Sequence, residues 1–404
     1  MLSKTNLTKV YQYLLITLAF VFPLSVVAGN LIIALILLVW FSSGDFTTKL
    51  IDIKQSKILI ASIIFFLLHV VGLLWTDNLL WGLTIVKKMW YFLLLLPILY
   101  TIVRKEYINY YINSFLIAIF ISVVLSFFVW FEIMEPFKNA TVLNPTPFMS
   151  HVSYNPILAF AIYIVGHKIL FKSDLNKLWL FVYSLFFFAM SINMFITAGR
   201  AGQVAYFLLI GILIFQYFTT QRVKAIIITL LIIPIIFTSA YYASDIFHGR
   251  VNIAYKNVVT FDKNSSVGRR MSYALNSFEL IKISPIFGVG TGDFPNEYLR
   301  VNEKNIHKLL INERPDNPHN MYLIILAQLG LTGLISMLSI FYYQFKYSFN
   351  KSNKSNKLIS DIGFVLPSMF IVIMLSDSYL LGHYTTLLFV FFSSFIYKDF
   401  KSLV

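Results

Sequence analysis

Cysteine is absent from the 404-residue chain, which excludes a disulfide framework, a thiolate metal site and a thiol nucleophile. Charge is scarce too: Asp, Glu, Lys and Arg make up 12% of the residues, against roughly 25% in soluble proteins. The acidic sign is the rarer, 18 residues against 32 basic. No HExxH, DxD or acidic pair with metal-ligand spacing falls in the segments assigned below to the outer side, so no metal and no cofactor is expected. The chain also lacks a Walker A sequence, which argues against a nucleotide-driven pump. A net charge of +14 would suggest nucleic acid in a soluble chain. Here the positions of the charges say more than their sum, and no nucleic acid partner is expected.

What the chain has instead is apolar length. It is 58% hydrophobic, with 40 Phe and 24 Tyr suited to lipid-facing surfaces and interfacial belts. About twelve apolar segments can be drawn, near 11–28, 30–43, 57–75, 84–102, 108–132, 155–171, 178–197, 202–219, 224–242, 320–345, 359–377 and 382–397. The expected fold is therefore an all-α polytopic membrane protein with about 12 transmembrane helices. The first apolar run lacks a small-residue cleavage site and continues into a second, so no cleavable signal peptide is expected.

The positive-inside rule tests this drawing. With the N-terminus in the cytoplasm, Lys49, Lys54, Arg104, Lys105, Arg222 and Lys224 all fall inside. Short outside segments hold only Lys87, Lys88, Lys138 and Arg200. Both termini are then expected in the cytoplasm. One long outside segment, 243–318, lies between the ninth and tenth spans. It is too polar to be embedded and too long for a simple connection. Within it, Gly268–Lys282 has Met271, Leu275, Phe278 and Ile281 at helical spacing. A glycine-dense turn follows at Gly288–Gly292, and a second helix is expected over Phe294–Leu309. The loop should fold as a cap over the outer face. This divides the chain into an N-terminal bundle (1–179), a core (180–345) that includes the loop, and a C-terminal hairpin (346–404).

Candidate chemistry gathers at the outer surface. Thr197-Ala198-Gly199-Arg200-Ala201-Gly202-Gln203 joins two spans by a tight turn. Arginine at bilayer depth costs roughly 2.5–3.5 kcal/mol, so Arg200 either snorkels to outer-leaflet phosphates or meets an anionic ligand. Small neighbours allow a substrate or another helix to approach closely. Arg269 and Arg270 open the loop helix, where the dipole disfavours cations unless an anion is bound. Taken alone they are more simply read as ordinary surface charge. Lys88 sits beside Trp81 and Trp90 at the outside start of the fourth span, an interface anchor or a phosphate contact. In Arg314–Asn320 the two prolines keep the approach extended. They make Asn317 the expected N-cap, with Pro318 and His319 in the first turn of the next helix. Such a histidine stands where it can exchange protons.

Three stretches together resemble the O-antigen ligase family of polytopic membrane glycosyltransferases: the TAGRAGQ turn, SSVGRRMSYALNSFELIKISPIFGVGTGDF, and PHNMYLIILAQLGLTGL. The resemblance implies a GT-C-like enzyme of the bacterial inner membrane with a periplasmic active face. It implies a polyprenyl-pyrophosphate-linked glycan as donor and lipid A-core as acceptor, with another glycan or a protein as alternatives. By position, Arg200 and Arg270 correspond to the family's pyrophosphate-binding arginines, with Arg269 the competing neighbour. His319 corresponds to its catalytic histidine, supported by Asn320, Asp316 and Lys88. The rival from another class is a transporter of lipid-linked sugars, which would place paired charges near the midplane.

Overall fold

In hydrocarbon each backbone N–H and C=O must be satisfied within the chain, so long runs of Ile, Leu, Val and Phe become helices. The computed structural model describes residues 4–172, 175–260, 265–305, 314–350 and 357–400, and no strand occurs among them. A hairpin comes first: α1 (Lys4–Val21) and α2 (Val26–Ser42), with Ser25 capping α2 by accepting the Ala28 N–H. The short α3 (Phe46–Gln55) turns 116° away from α2. Next, α4 (Lys57–Val71) continues as a 3-10 turn to Trp75, and α5 (Leu79–Trp90) passes through a π-helical turn into α6 (Leu96–Ile102). Five long helices follow: α7 (Ile108–Trp130), α8 (His151–Phe171), α9 (Lys177–Ile196), α10 (Arg200–Tyr217) and α11 (Arg222–Ala243).

The expected loop is helical: α12 (Asp245–Thr260), α13 (Ser266–Ile283) and α14 (Phe294–Asn305). The expected continuation of α14 to Leu309, and His307 with it, lie outside the described residues. The chain ends in α15 (Met321–Phe349), α16 (Lys357–Ile373) and α17 (His383–Ile396). Eight of these helices or helix runs are long and apolar enough to cross a membrane, or nine if α2 and α3 form one broken span. The protein is a multi-pass membrane protein. The remaining spans of the sequence drawing fall on α1, α2, α16 and α17, which do not by themselves combine that length with that hydropathy. Most of α11 faces outward with its apolar side chains, as a lipid-contacting helix does.

The interior is held by close packing rather than by escape from water, since lipid tails are as apolar as Leu. α10 runs along α8, α4 along α15, and α1 along α7. The approach of α10 to α8 rests on Gly202. A Cβ there would fall 2.3 Å from the Asn155 carbonyl carbon and 2.6 Å from the Pro156 nitrogen. The small residues of the TAGRAGQ turn thus admit helix α8.

α15 is not continuous. Gly330 takes φ +61 and ψ −156, breaking the helix roughly 14 Å from its start at about 1.5 Å per residue. The freed backbone groups are satisfied by the glycine-dense turn. Val289 and Gly290 donate to the Ala327 and Gln328 carbonyls at 2.9 and 3.0 Å, and Leu331 donates to Pro285 at 2.9 Å. A Cβ at Gly330 would meet Ile286 at 2.3 Å. The turn after α13 therefore dips into the bundle as an irregular segment covered by protein, the circumstance in which membranes tolerate one. Asp293 then fastens it to the start of α5, accepting the Asp77 and Asn78 N–H groups at 2.9 and 2.7 Å. These contacts seat α13 against α15 and α14, as a cap over the bundle mouth.

Candidate active site

The Thr197–Gln203 turn is fixed from three sides before Arg200 is reached. Asn144 accepts the Ala198 N–H at 3.0 Å, the Thr197 hydroxyl faces Asn155 Oδ1 at 3.0 Å, and Gln203 Nε2 donates back to the Thr197 carbonyl at 3.1 Å. Arg200 is then the first residue of α10, with its Nη2 donating to Ser266 Oγ of α13 at 2.9 Å. That bond ties the bundle to the cap.

Beside it lies a polar cleft of about 70 Å³, lined by Arg200, Arg250, Arg270, His151, Asp377 and Tyr379 together with the small residues 198–202. Four helices, the turn before α10 and the loop between α16 and α17 contribute to it. Three guanidinium groups face a single lining carboxylate, and a helix N-terminus opens onto the same space. Both favour an anion. Arg270 lines the cleft, whereas Arg269, its neighbour on α13, does not. Ser265 caps α13 by accepting the Gly268 N–H at 3.0 Å.

His319 meets this cleft through Asp377. Its Nδ1 stands 3.4 Å from Asp377 Oδ2, an ion-pairing distance rather than an aligned hydrogen bond, and its side chain is 42% exposed. Tyr273 of α13 lies alongside the imidazole, 6.1 Å between ring centres. The backbone here corrects the sequence reading. Asn320, not Asn317, is the N-cap of α15: its Oδ1 accepts the Tyr322 and Leu323 N–H groups at 2.9 and 3.1 Å. His319 accordingly precedes the helix, at φ +50. Asn317 instead accepts the His319 N–H at 2.8 Å, an Asx turn that holds this left-handed residue. Two prolines in seven residues suggested an earlier start, but the local side-chain bonds decide it.

Burial alone would raise the Asp377 carboxyl. The His319 imidazole, the Ser378 N–H at 2.7 Å and the charge of Arg270 outweigh it and hold the carboxyl below its ordinary value. A lowered folded-state value contributes stability above the unfolded value and loses it as pH falls through the lowered one. Asp377→Asn should therefore reduce thermal stability at neutral pH, and the gap to wild type should narrow in acid. Thermal unfolding of the purified proteins across pH reads this. A gap that widens toward acid contradicts it. Burial also pushes the Tyr379 phenol upward, so it stands in the cleft as a neutral hydrogen-bond donor.

The other residues expected here are placed elsewhere. Asp316 is exposed, and the carboxylate at the imidazole is Asp377. Lys88 lies in the last turn of α5 with its ammonium 5.6 Å from the Trp81 ring, and it does not line the cleft. The helix begins at Leu79, so Lys88 is not at the outer start of that span. Asn320 supports the site through the cap and by donating to the Leu375 carbonyl at 3.1 Å, close to Asp377 in the chain. Arg250, His151, Asp377 and Tyr379 complete the cleft unforeseen.

Next to the cleft runs an apolar groove of about 570 Å³, lined by Trp130, Phe187, Phe195, Ile196, Ile235 and Ile246 among others. Ile196 precedes the Arg200 turn, and Ile246 lies one helical turn before Arg250 on α12. The chain segments that line the groove thus lead directly into those that line the cleft.

Fold and cleft together define a multi-span membrane protein with an arginine-lined anion cleft and a histidine–carboxylate pair at the mouth of its bundle. Residues 185–338 match a family model described as O-antigen ligase. The segment takes in Arg200, Arg250, Arg270 and His319, while His151 and Asp377 lie outside it. A protein of Haemophilus influenzae (strain ATCC 51907 / DSM 11121 / KW20 / Rd), described as uncharacterized, is 26% identical over 251 residues, 59% of this chain. The chain spans 61% of that relative's length.

Proposed function

We propose that the protein transfers a glycan from a polyprenyl-pyrophosphate donor to a sugar hydroxyl of lipid A-core, at the periplasmic face of the bacterial inner membrane. The observation that carries this reading is the junction of an arginine cleft with an apolar groove. A lipid-linked pyrophosphate presents that combination of charge and chain. The cleft's cations are guanidinium groups, which bind phosphate oxygens in a bidentate fork. In the reaction the acceptor oxygen attacks the anomeric carbon of the donor sugar. The anomeric C–O bond breaks, its electron pair passes to the sugar-side phosphate, and polyprenyl pyrophosphate leaves. Attack from the face opposite the leaving group inverts the anomeric centre. With Nδ1 of His319 turned to Asp377, Nε2 is the nitrogen that accepts the acceptor's proton. Arg200 and Arg270 stabilise the negative charge that grows on the leaving phosphate.

A polymerase uses the same donor and differs only in its acceptor, another lipid-linked glycan, and transfer to a protein hydroxyl is a further variant. Purified protein incubated with donor and lipid A-core decides the matter. Covalent extension of the core is expected. Extension of the lipid-linked glycan in its place identifies a polymerase, and absence of any covalent product overturns transfer in favour of transport.

A further inference from the structure

The transfer reaction leaves two lining residues without a task. Arg250 comes from α12 and His151 from the start of α8, and both line the cleft with Arg200 and Arg270. Among the described residues, Arg250 has no carboxylate within ion-pairing distance. The charges also fall in an order. Asp377 has His319 and Arg270 as its charge neighbours, Arg200 has Arg270 and Arg250, and His151 has Arg250 and Arg200. Arg250 and His151 thus group with Arg200, while Asp377, 3.4 Å from His319, groups with Arg270. The apolar groove runs toward both residues: its Ile246 lies one turn before Arg250 on α12, and its Leu143 precedes the Asn144 that bonds His151.

The hydrogen bonds of His151 fix what it offers. Asn144 Oδ1 accepts the Ala198 N–H at 3.0 Å, which leaves its Nδ2 to face His151 Nδ1 at 3.1 Å. An amide nitrogen donates, so Nδ1 accepts and the ring proton sits on Nε2. The neutral imidazole is then a fixed N–H donor.

We propose that Arg250 and His151 form the lipid-side half of a two-phosphate site, while Arg200 and Arg270 hold the sugar-side phosphate. This rests on the transfer reading, which sets the sugar at His319 and the chain in the groove. The consequence is selectivity for a diphosphate over a monophosphate lipid. The two halves also act differently on the reaction. The sugar-side phosphate gains charge as the bond breaks, whereas the lipid-side phosphate carries nearly the same charge throughout. Arg250 contributes uniform binding, which appears in KM and not in kcat.

The test uses full-length protein purified in detergent, with inorganic pyrophosphate and orthophosphate as probes and thermal shift titration as the readout. Wild type is expected to bind pyrophosphate more tightly than orthophosphate. Arg250→Ala should weaken pyrophosphate on the order of 10- to 100-fold, the loss of one charge-assisted contact, and leave orthophosphate close to wild type. Arg250→Lys, which keeps the charge but not the fork, should fall between them and serves if the alanine variant folds poorly. His151→Leu should weaken pyrophosphate about tenfold, with recovery in His151→Gln, whose amide N–H replaces the ring donor. In the transfer assay, Arg250→Ala should raise donor KM with kcat nearly unchanged. Pyrophosphate binding equal to wild type in Arg250→Ala and Arg250→Lys overturns the proposal. So does a loss confined to kcat, or a defect seen only in bilayers of anionic lipid, which assigns Arg250 to headgroup phosphates. The binding arm needs no turnover, so it decides this proposal even where wild type yields no glycosyl product and the transfer reading fails.

Discussion

Replacing His319 by asparagine should leave the protein at wild-type abundance in the membrane and lower glycan transfer by about two to four orders of magnitude, the usual worth of a positioned general base. Asparagine is the informative substitution because His319 sits at φ +50, before the cap of α15. Asn populates that left-handed region more readily than most residues, whereas alanine there adds strain of roughly 1–2 kcal/mol. The backbone N–H that donates to Asn317 is retained in either variant. What His319→Asn removes is the ring that stands against Asp377 and lies alongside Tyr273. Transfer measured with purified variant, donor and acceptor, beside an immunoblot of the membrane fraction, separates chemistry from folding. Transfer above a tenth of wild type shows that His319 is not the base.

Much of the fold was legible because membrane burial writes itself in one dimension. Most of the apolar runs drawn from the sequence lie along helices, and the polar stretch after α11 is helical and caps the bundle. The tight Arg200 turn was visible too, since four small residues around one arginine, set between two apolar runs, favour a close reversal of the chain. What stayed hidden depends on contacts distant in sequence. The break at Gly330 lies inside an unbroken apolar run, and only the arrival of residues 285–290 against it reveals that the helix stops there. The cap at Asn320 depends on the left-handed turn of His319, which no composition rule reports.

Distance along the chain hid the site in the same way. Asp377 reads in sequence as the end of an apolar segment, yet α16 stops at Ile373 and the loop after it carries the carboxylate to His319, 58 positions earlier by number (377 minus 319). Asp316, closer in the chain, was the natural guess and is exposed. Arg250 resembles ordinary surface charge, because His248 and Asp245 beside it make a polar helix start. His151 gains its meaning from Asn144 and the Ala198 N–H, two partners brought together only by the packing of α8 and α10.

Arg270→Ala should lower kcat by about two to three orders of magnitude, comparable to removing one preorganised donor from an oxyanion site, with a smaller effect on donor KM. The size of the loss follows from where charge develops. Arg270 lines the cleft with Asp377, the partner of His319, and the proposed transfer breaks the anomeric bond beside that pair. Arg270→Lys keeps the charge but replaces a planar fork with a point charge, so recovery should be partial. Arg200→Ala should be equally severe, but for two reasons that need separating, because Arg200 also bonds Ser266 of the cap helix at 2.9 Å. Ser266→Ala removes that tether and leaves the guanidinium in place. Near-normal transfer in Ser266→Ala alongside a strong loss in Arg200→Ala assigns the loss to charge. The double variant Arg200→Ala/Arg270→Ala should then lose less than the product of the single losses, since both grip one phosphate. Full multiplicative loss places the two arginines on independent ligands and breaks the shared-phosphate reading.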